Sequence, residues 1–144
     1  MKIFTNEILI DVPPKRVLEF LADLSGHDKI HPLIVSVEEI EMPNDEFRRY
    51  RITDRVPMGP FKMKAVYEAD IWYTAEGDLQ SVARQSPGII LHNTTSAIQQ
   101  GDSTLLREEV RVEAPALLLN FVTKQAEEAH KKMFGRVKEF LERD

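Results

Sequence analysis

A chain of 144 residues with 42% hydrophobic residues has the length of one domain, and folding at this size buries roughly 68–70% of the unfolded surface, so one sizeable core is possible. Its net charge of −5 arises from 24 acidic and 19 basic side chains that are interspersed rather than blocked, which argues against a nucleic-acid or anionic-membrane footprint. The absence of cysteine excludes disulfides, thiolate chemistry and cysteine-based zinc sites together, and no run approaches the roughly 18 apolar residues of a membrane span.

The opening MKIFTNEILIDV alternates instead of forming the apolar stretch of a secretion signal, so a cytoplasmic location without membrane insertion is expected. Residues 3–12 place Phe4, Ile8, Ile10 and Val12 on one face, the pattern of a half-buried strand that Pro13-Pro14 ends. In KRVLEFLADL, residues Val17, Phe20, Leu21 and Leu24 recur at helical spacing, and Ser25-Gly26 supplies a stop. Pro32 disfavours a helical conformation at His31, so His31-Pro32 reads as a corner feeding the next strand. From Val35 to Ala114 six alternating runs follow, separated by the turn chemistry of MPND, PMGP, AEGD, SPG and QGDS, which predicts an antiparallel meander. Residues 116–144 return to helical period, with Leu118, Val122, Ala126, Ala129, Met133, Val137 and Phe140 in one stripe and Pro115 at the start.

The order strand, short helix, six-stranded meander and long closing helix, together with three local runs, resembles the START-like or Bet v 1-like (SRPBCC) superfamily over essentially the whole chain. The similarity is greatest to its polyketide cyclase/dehydrase and lipid-transport branch. ILIDVPPKRVLEFLADL is similar to the family's first strand, turn and helix, HPLIVSVEEI to the lead-in of its second strand, and AEEAHKKMFGRVKEFLE to its closing helix. These are signatures of fold and none is catalytic. Relatives often carry a tryptophan just before the segment aligned with HPLIVSV, where this chain has Lys29-Ile30. The resemblance implies an α+β helix-grip fold, a single domain over 1–144 in which a curved antiparallel sheet wraps a long helix and leaves a cavity between them.

Given that fold, strand parity decides what lines the cavity, because cross-strand partners share a face. Centring hairpins on Asn44-Asp45, Met58-Gly59, Glu76-Gly77, Pro87-Gly88 and Gly101-Asp102 pairs Val37 with Ile52, Asp54 with Met63, and Tyr50 with Tyr67. The same construction pairs Ile71 with Val82, Arg84 with Leu91, Asn93 with Val110, and Thr95 with Glu108. The expected inward face is then mostly apolar and includes Val35, Tyr50, Ile52, Met63, Ala65, Tyr67, Ala69, Ile71, Val82 and Val110, with Leu118, Val122, Ala126 and Met133 opposite on the helix. Six polar residues intrude, namely Asp54, Arg84, Ser86, Asn93, Thr95 and Glu108; buried polar groups must be paired, hydrated or neutral.

The ligand-binding set expected from this reading is Tyr50, Ile52, Asp54, Met63, Tyr67, Ile71, Arg84, Asn93, Glu108, Val110, Leu118, Val122 and Met133. The expected function is binding of a small, mostly apolar molecule such as a lipid or polyketide-like compound, the intruding polar groups fixing its orientation. The alternative is a cyclase, aromatase or dehydratase in which Asp54, Tyr67, Arg84, Glu108 or His31 supplies acid-base chemistry. A partner-protein module on the same fold is a third class. His92 is expected to face solvent and His130, one position from Ala129, to be a packing or cap-like residue. No metal set, nucleophile elbow or phosphate loop can be read, so neither cofactor nor metal is expected.

Overall fold

The computed structural model describes residues 1–143. Strand β1 (Lys2–Ile10) leads into helix α1 (Pro14–Ala22) and a 3-10 helix (Leu24–Lys29); strands β2 (Ile34–Ile40), β3 (Arg48–Met58), β4 (Phe61–Tyr73), β5 (Leu79–Gln85), β6 (Ile89–Gln100) and β7 (Ser103–Glu113) follow, and α2 (Ala116–Glu142) closes the chain. Asp144, which ends the helix expected from the sequence, lies outside the described residues. The seven strands form one antiparallel sheet in the order β1-β7-β6-β5-β4-β3-β2, so the first strand is placed beside the last across a long connection.

Why these residues form these elements is visible in their burial. Along β7 burial alternates strictly, with Thr104, Leu106, Glu108, Val110 and Val112 buried and the charged residues between them exposed. Helix α1 starts at a proline, which suits a first helical position, and buries Val17 and Leu21. The expected first helix stops sooner than its spacing suggests: Asp23 leaves the helix and accepts a hydrogen bond from the Ser25 N–H at 3.1 Å, so Leu24 reaches the core from the 3-10 turn. The C-terminal half of α2 packs into the main core through Met133, Phe134, Val137 and Leu141, together with Ile10, Val17, Leu21 and Tyr50. Its N-terminal half contributes Leu119, Val122 and Ala126 to a smaller cluster with Phe4, Val110 and Val112. Between the two clusters the helix stands off the sheet.

The observed register differs from the expected one at three turns, and two of the differences change a face. The β3–β4 turn is Gly59-Pro60, with Met58 opposite Phe61, so Asp54 pairs with Ala65 and Tyr50 with Ala69; the shift of two residues preserves parity. Between β4 and β5 the loop is Thr74–Asp78, an odd number of residues, and Ile71 therefore faces Ser81 rather than Val82. The β5–β6 loop is again odd, Ser86-Pro87-Gly88 with Gly88 at φ +68°, and Arg84 faces Ile90 rather than Leu91. Each odd loop reverses parity and the second restores it. Only β5 is inverted; Asn93 opposite Val110 and Thr95 opposite Glu108 are as the turns predict. A bulge between Ile34 and Ser36 likewise turns Val35 out, half exposed, and gives the inward place to Ile34.

Candidate functional site

A cavity of about 610 Å³ lies between the sheet and α2. Its floor is apolar, made of Leu21, Leu24, Ile71, Leu79 and Phe134, and its walls include Ile52, Ala65, Ala69, Ala83, Leu91, Val110 and Met133. It opens at one end, where the lining residues become exposed: Met58 and Met63 at the β3–β4 tip, Ser86-Pro87 of the next hairpin, and Phe121 beside Leu118 in the first turns of α2. Part-way down, between floor and mouth, sits a band of polar side chains.

That band is built from six separate strands and helices and the corner before β2. Glu108 on β7 is fully buried, and its carboxylate accepts from Asn6 Nδ2 of β1 at 2.9 Å, from Asn93 Nδ2 of β6 at 2.6 Å and from His130 Nδ1 of α2 at 3.0 Å. Thr95 in turn donates to Asn93 Oδ1 at 2.7 Å, which fixes the amide so that its NH₂ faces the carboxylate. Burial alone would lift the Glu108 carboxyl, but the His130 imidazolium and the two amides outweigh it and hold the group below the usual carboxylate range. For His130 burial works against the charged ring, and Glu108, first by its charge and then by its hydrogen bond, raises the imidazole above its ordinary value nonetheless. Both shifts favour the ionised pair.

Asp54 on β3 is buried and receives one hydrogen bond, from the Tyr67 hydroxyl at 3.3 Å. Burial pushes its carboxyl up to about 6, with the Tyr67 hydrogen bond and the His130 charge acting in the opposite direction. The same burial, reinforced by Asp54, carries the Tyr67 phenol well above its ordinary value, so it remains a donor. His31 occupies the expected corner and its ring also lines the cavity, edge-on to His130 with centroids 5.8 Å apart. His27, in the 3-10 turn, is brought down to about 4 by burial and bonds the Leu21 carbonyl oxygen at 2.9 Å, so it is a neutral core histidine at the cavity floor. Among the described residues no cluster of three or more metal-ligating side chains occurs.

Of the residues singled out in the sequence, Ile52, Asp54, Met63, Tyr67, Ile71, Asn93, Glu108, Val110, Leu118, Val122 and Met133 line the cavity, as do His31 and Ser86. Two do not. Arg84 lies on the outer face, exposed, with its guanidinium 3.4 Å from the Asp70 carboxylate, which Arg49 also grips at 2.7 Å; the odd loop before β5 put it there. Val82 is carried to the same face. Tyr50 points inward as expected, but the 3-10 turn and α1 close over that end of the sheet, and its ring is wholly buried in the solid core. His92 faces out, with Nε2 2.6 Å from Glu113. His130, expected only to pack, is instead the cation of the polar band. Asn6 is absent from the expected set, although it is the polar residue that interrupts the apolar run Phe4, Ile8 and Ile10 on one face, and that interruption is its signal.

No family model and no curated protein matches the chain. Solved structures do. A START superfamily protein from Mycobacterium smegmatis superposes with a TM-score of 0.78 at 18% identity, covering 98% of this chain and 97% of that one. The Zhui aromatase/cyclase from a Streptomyces species gives 0.78 at 15% identity over 99% and 94%. Ara h 8.0201 gives 0.74 at 15% identity over 99% of both chains. The chain has the helix-grip fold of START-like and Bet v 1-like proteins. Among the described residues no helix is long and apolar enough to cross a membrane.

Proposed function

We propose that this protein binds a small, mostly apolar molecule of lipid or polyketide-like type in the cavity between the sheet and α2. The observation that carries the reading is the cavity itself: its volume of about 610 Å³ falls within the roughly 300–1,000 Å³ of small-molecule sites, and it has apolar walls with a few placed polar groups. The fold likeness to START-like proteins and a polyketide cyclase supports hydrophobic ligand binding in general. Burying ~300 Å² of apolar ligand surface contributes about 7 kcal/mol before association costs, so generic lipids should bind at micromolar affinity or weaker.

Ala65 and Ala69 are small side chains in the wall, and enlarging either fills the space a ligand needs. In a titration with an environment-sensitive apolar fluorophore, Ala65→Phe and Ala69→Phe should lose uptake while keeping the circular dichroism and cooperative unfolding of the parent. Undiminished uptake by both folded variants would remove the cavity as the site.

A second reading, acid-base catalysis on a polyketide-like substrate in the same cavity, is favoured by one feature, the Asp54 carboxyl poised at about 6 beside Tyr67. The two readings part at Asp54→Asn. An anchor lost from a binding site weakens affinity by about 1–3 kcal/mol. A lost general base lowers turnover by roughly 10²–10⁴-fold with affinity little changed.

A further inference from the structure

Hydrogen bonding has already fixed what each member of the polar band can offer a ligand. His31 Nδ1 accepts from the Leu33 N–H at 3.2 Å, so the neutral ring carries its proton on Nε2. The ring is neutral because burial, followed by the cations around it, lowers it well below the ordinary histidine value. In His130 the Nδ1–H is committed to Glu108, and the second N–H of the imidazolium is Nε2–H. Neither Nε2 has a partner among the described residues, and both rings line the cavity. The site thus presents two N–H donors. Asp54 presents the complement: its Oδ1 receives the Tyr67 hydroxyl, and Oδ2 has no partner among the described residues.

We propose that this band is a site for an acidic hydroxyl, a phenol or an enol, bound as its oxyanion: the Nε2–H groups of His31 and His130 donate to the oxygen, and the proton leaves the ligand hydroxyl for Asp54. The proposal rests on the cavity being a ligand site and names the chemistry of the ligand's polar end. One O–H bond breaks on the ligand and one forms on the Asp54 carboxyl, so nothing else is consumed. The net charge of the buried band is the same before and after, because the negative charge moves from Asp54 to the ligand and stays beside His130. That conservation matters within apolar walls, where an added uncompensated charge is costly. A ligand with an ether at the same place could accept from the donors but could not supply the proton.

The charged and titratable groups facing His130 set the pH window. They are Glu108 from β7, Asp54 from β3, and His31 and His27 from the segment before β2. Proton transfer needs Asp54 ionised and His130 charged, so oxyanion binding should fall away below about 6 on the acid side and again where His130 loses its proton.

The test uses para-nitrophenol, which is yellow only when ionised, and para-nitroanisole, its methyl ether, which cannot ionise. With the full chain, at a pH below the solution pKa of the dye, both should bind. The bound nitrophenol should be yellow, with a phenolate-to-phenol ratio at least roughly tenfold above that of free dye. His31→Gln and His130→Gln, each of which disturbs a donor to the oxyanion, should each return that ratio several-fold towards the free value. Should His130→Gln fail to fold, because Glu108 is left buried without its cation, His31→Gln carries the test. Nitroanisole binding together with colourless bound nitrophenol overturns the oxyanion site and leaves the cavity reading standing. Failure of both compounds to bind overturns the cavity reading with it.

Discussion

Asp54 and Glu108 are both carboxyls within apolar walls, and they are stabilised in opposite ways. Glu108 is surrounded by three donors and stays charged; Asp54 has one and drifts towards neutrality. For Asp54 the folded value of about 6 exceeds the ordinary 3.8, so its contribution to stability is full below about pH 4 and is lost as pH rises through about 6. A difference of roughly two units is about 3 kcal/mol. Asp54→Asn should therefore gain on the parent in urea denaturation as pH rises from about 4 to 7, by up to ~3 kcal/mol, and level off above; a pH-independent difference would show that Asp54 is not raised. At this scale parity found Asp54, Asn93 and Glu108. It also placed Tyr67 and Thr95 beside them, but it could not find the cation. His130 lies on another element, and only tertiary packing brings its ring to Glu108.

Among the elements, β5 and α2 carry the lessons. The parity of a strand depends on whether each preceding loop holds an odd or even number of residues, and the loops of AEGD and SPG are odd where even ones were assumed. The odd length of the Thr74–Asp78 loop shows only once the backbone is seen, so Arg84, expected at the cavity, lies outside. Arg84→Ala should leave ligand affinity unchanged within about twofold, and a large loss would restore it to the site. The stripe of α2, by contrast, was legible as far as Val137, whereas Phe140 is exposed and Leu141 takes the buried place, and the stripe did not say which half meets solid core. Val137 is fully buried there, while Val122 borders the cavity and is half buried. Val137→Ala should cost about 2 kcal/mol by calorimetry or denaturant, and Val122→Ala well under that, with its effect appearing in ligand binding instead.

For the whole molecule, hydrophobic period and turn chemistry were enough for the order of elements, because both report local structure, and it was the resemblance of that order and of three local runs to START-like and Bet v 1-like proteins that implied the helix-grip architecture. The cavity follows from a helix that packs through Met133, Phe134, Val137 and Leu141 at one end and through Leu119, Val122 and Ala126 at the other and leaves space against the sheet between them, and that spacing is a property of side-chain volumes across the fold that no local run encodes. The most direct measurement is a methyl-resolved NMR titration of the full chain with para-nitroanisole. Binding in the cavity should shift the methyl signals of Ala65, Ala69, Ala83, Val110 and Val122, which line it, and leave Val17 and Val137 of the solid core unmoved. Saturating shifts confined to exposed methyls such as Val35 and Ile98, with the lining methyls unmoved, would contradict the account.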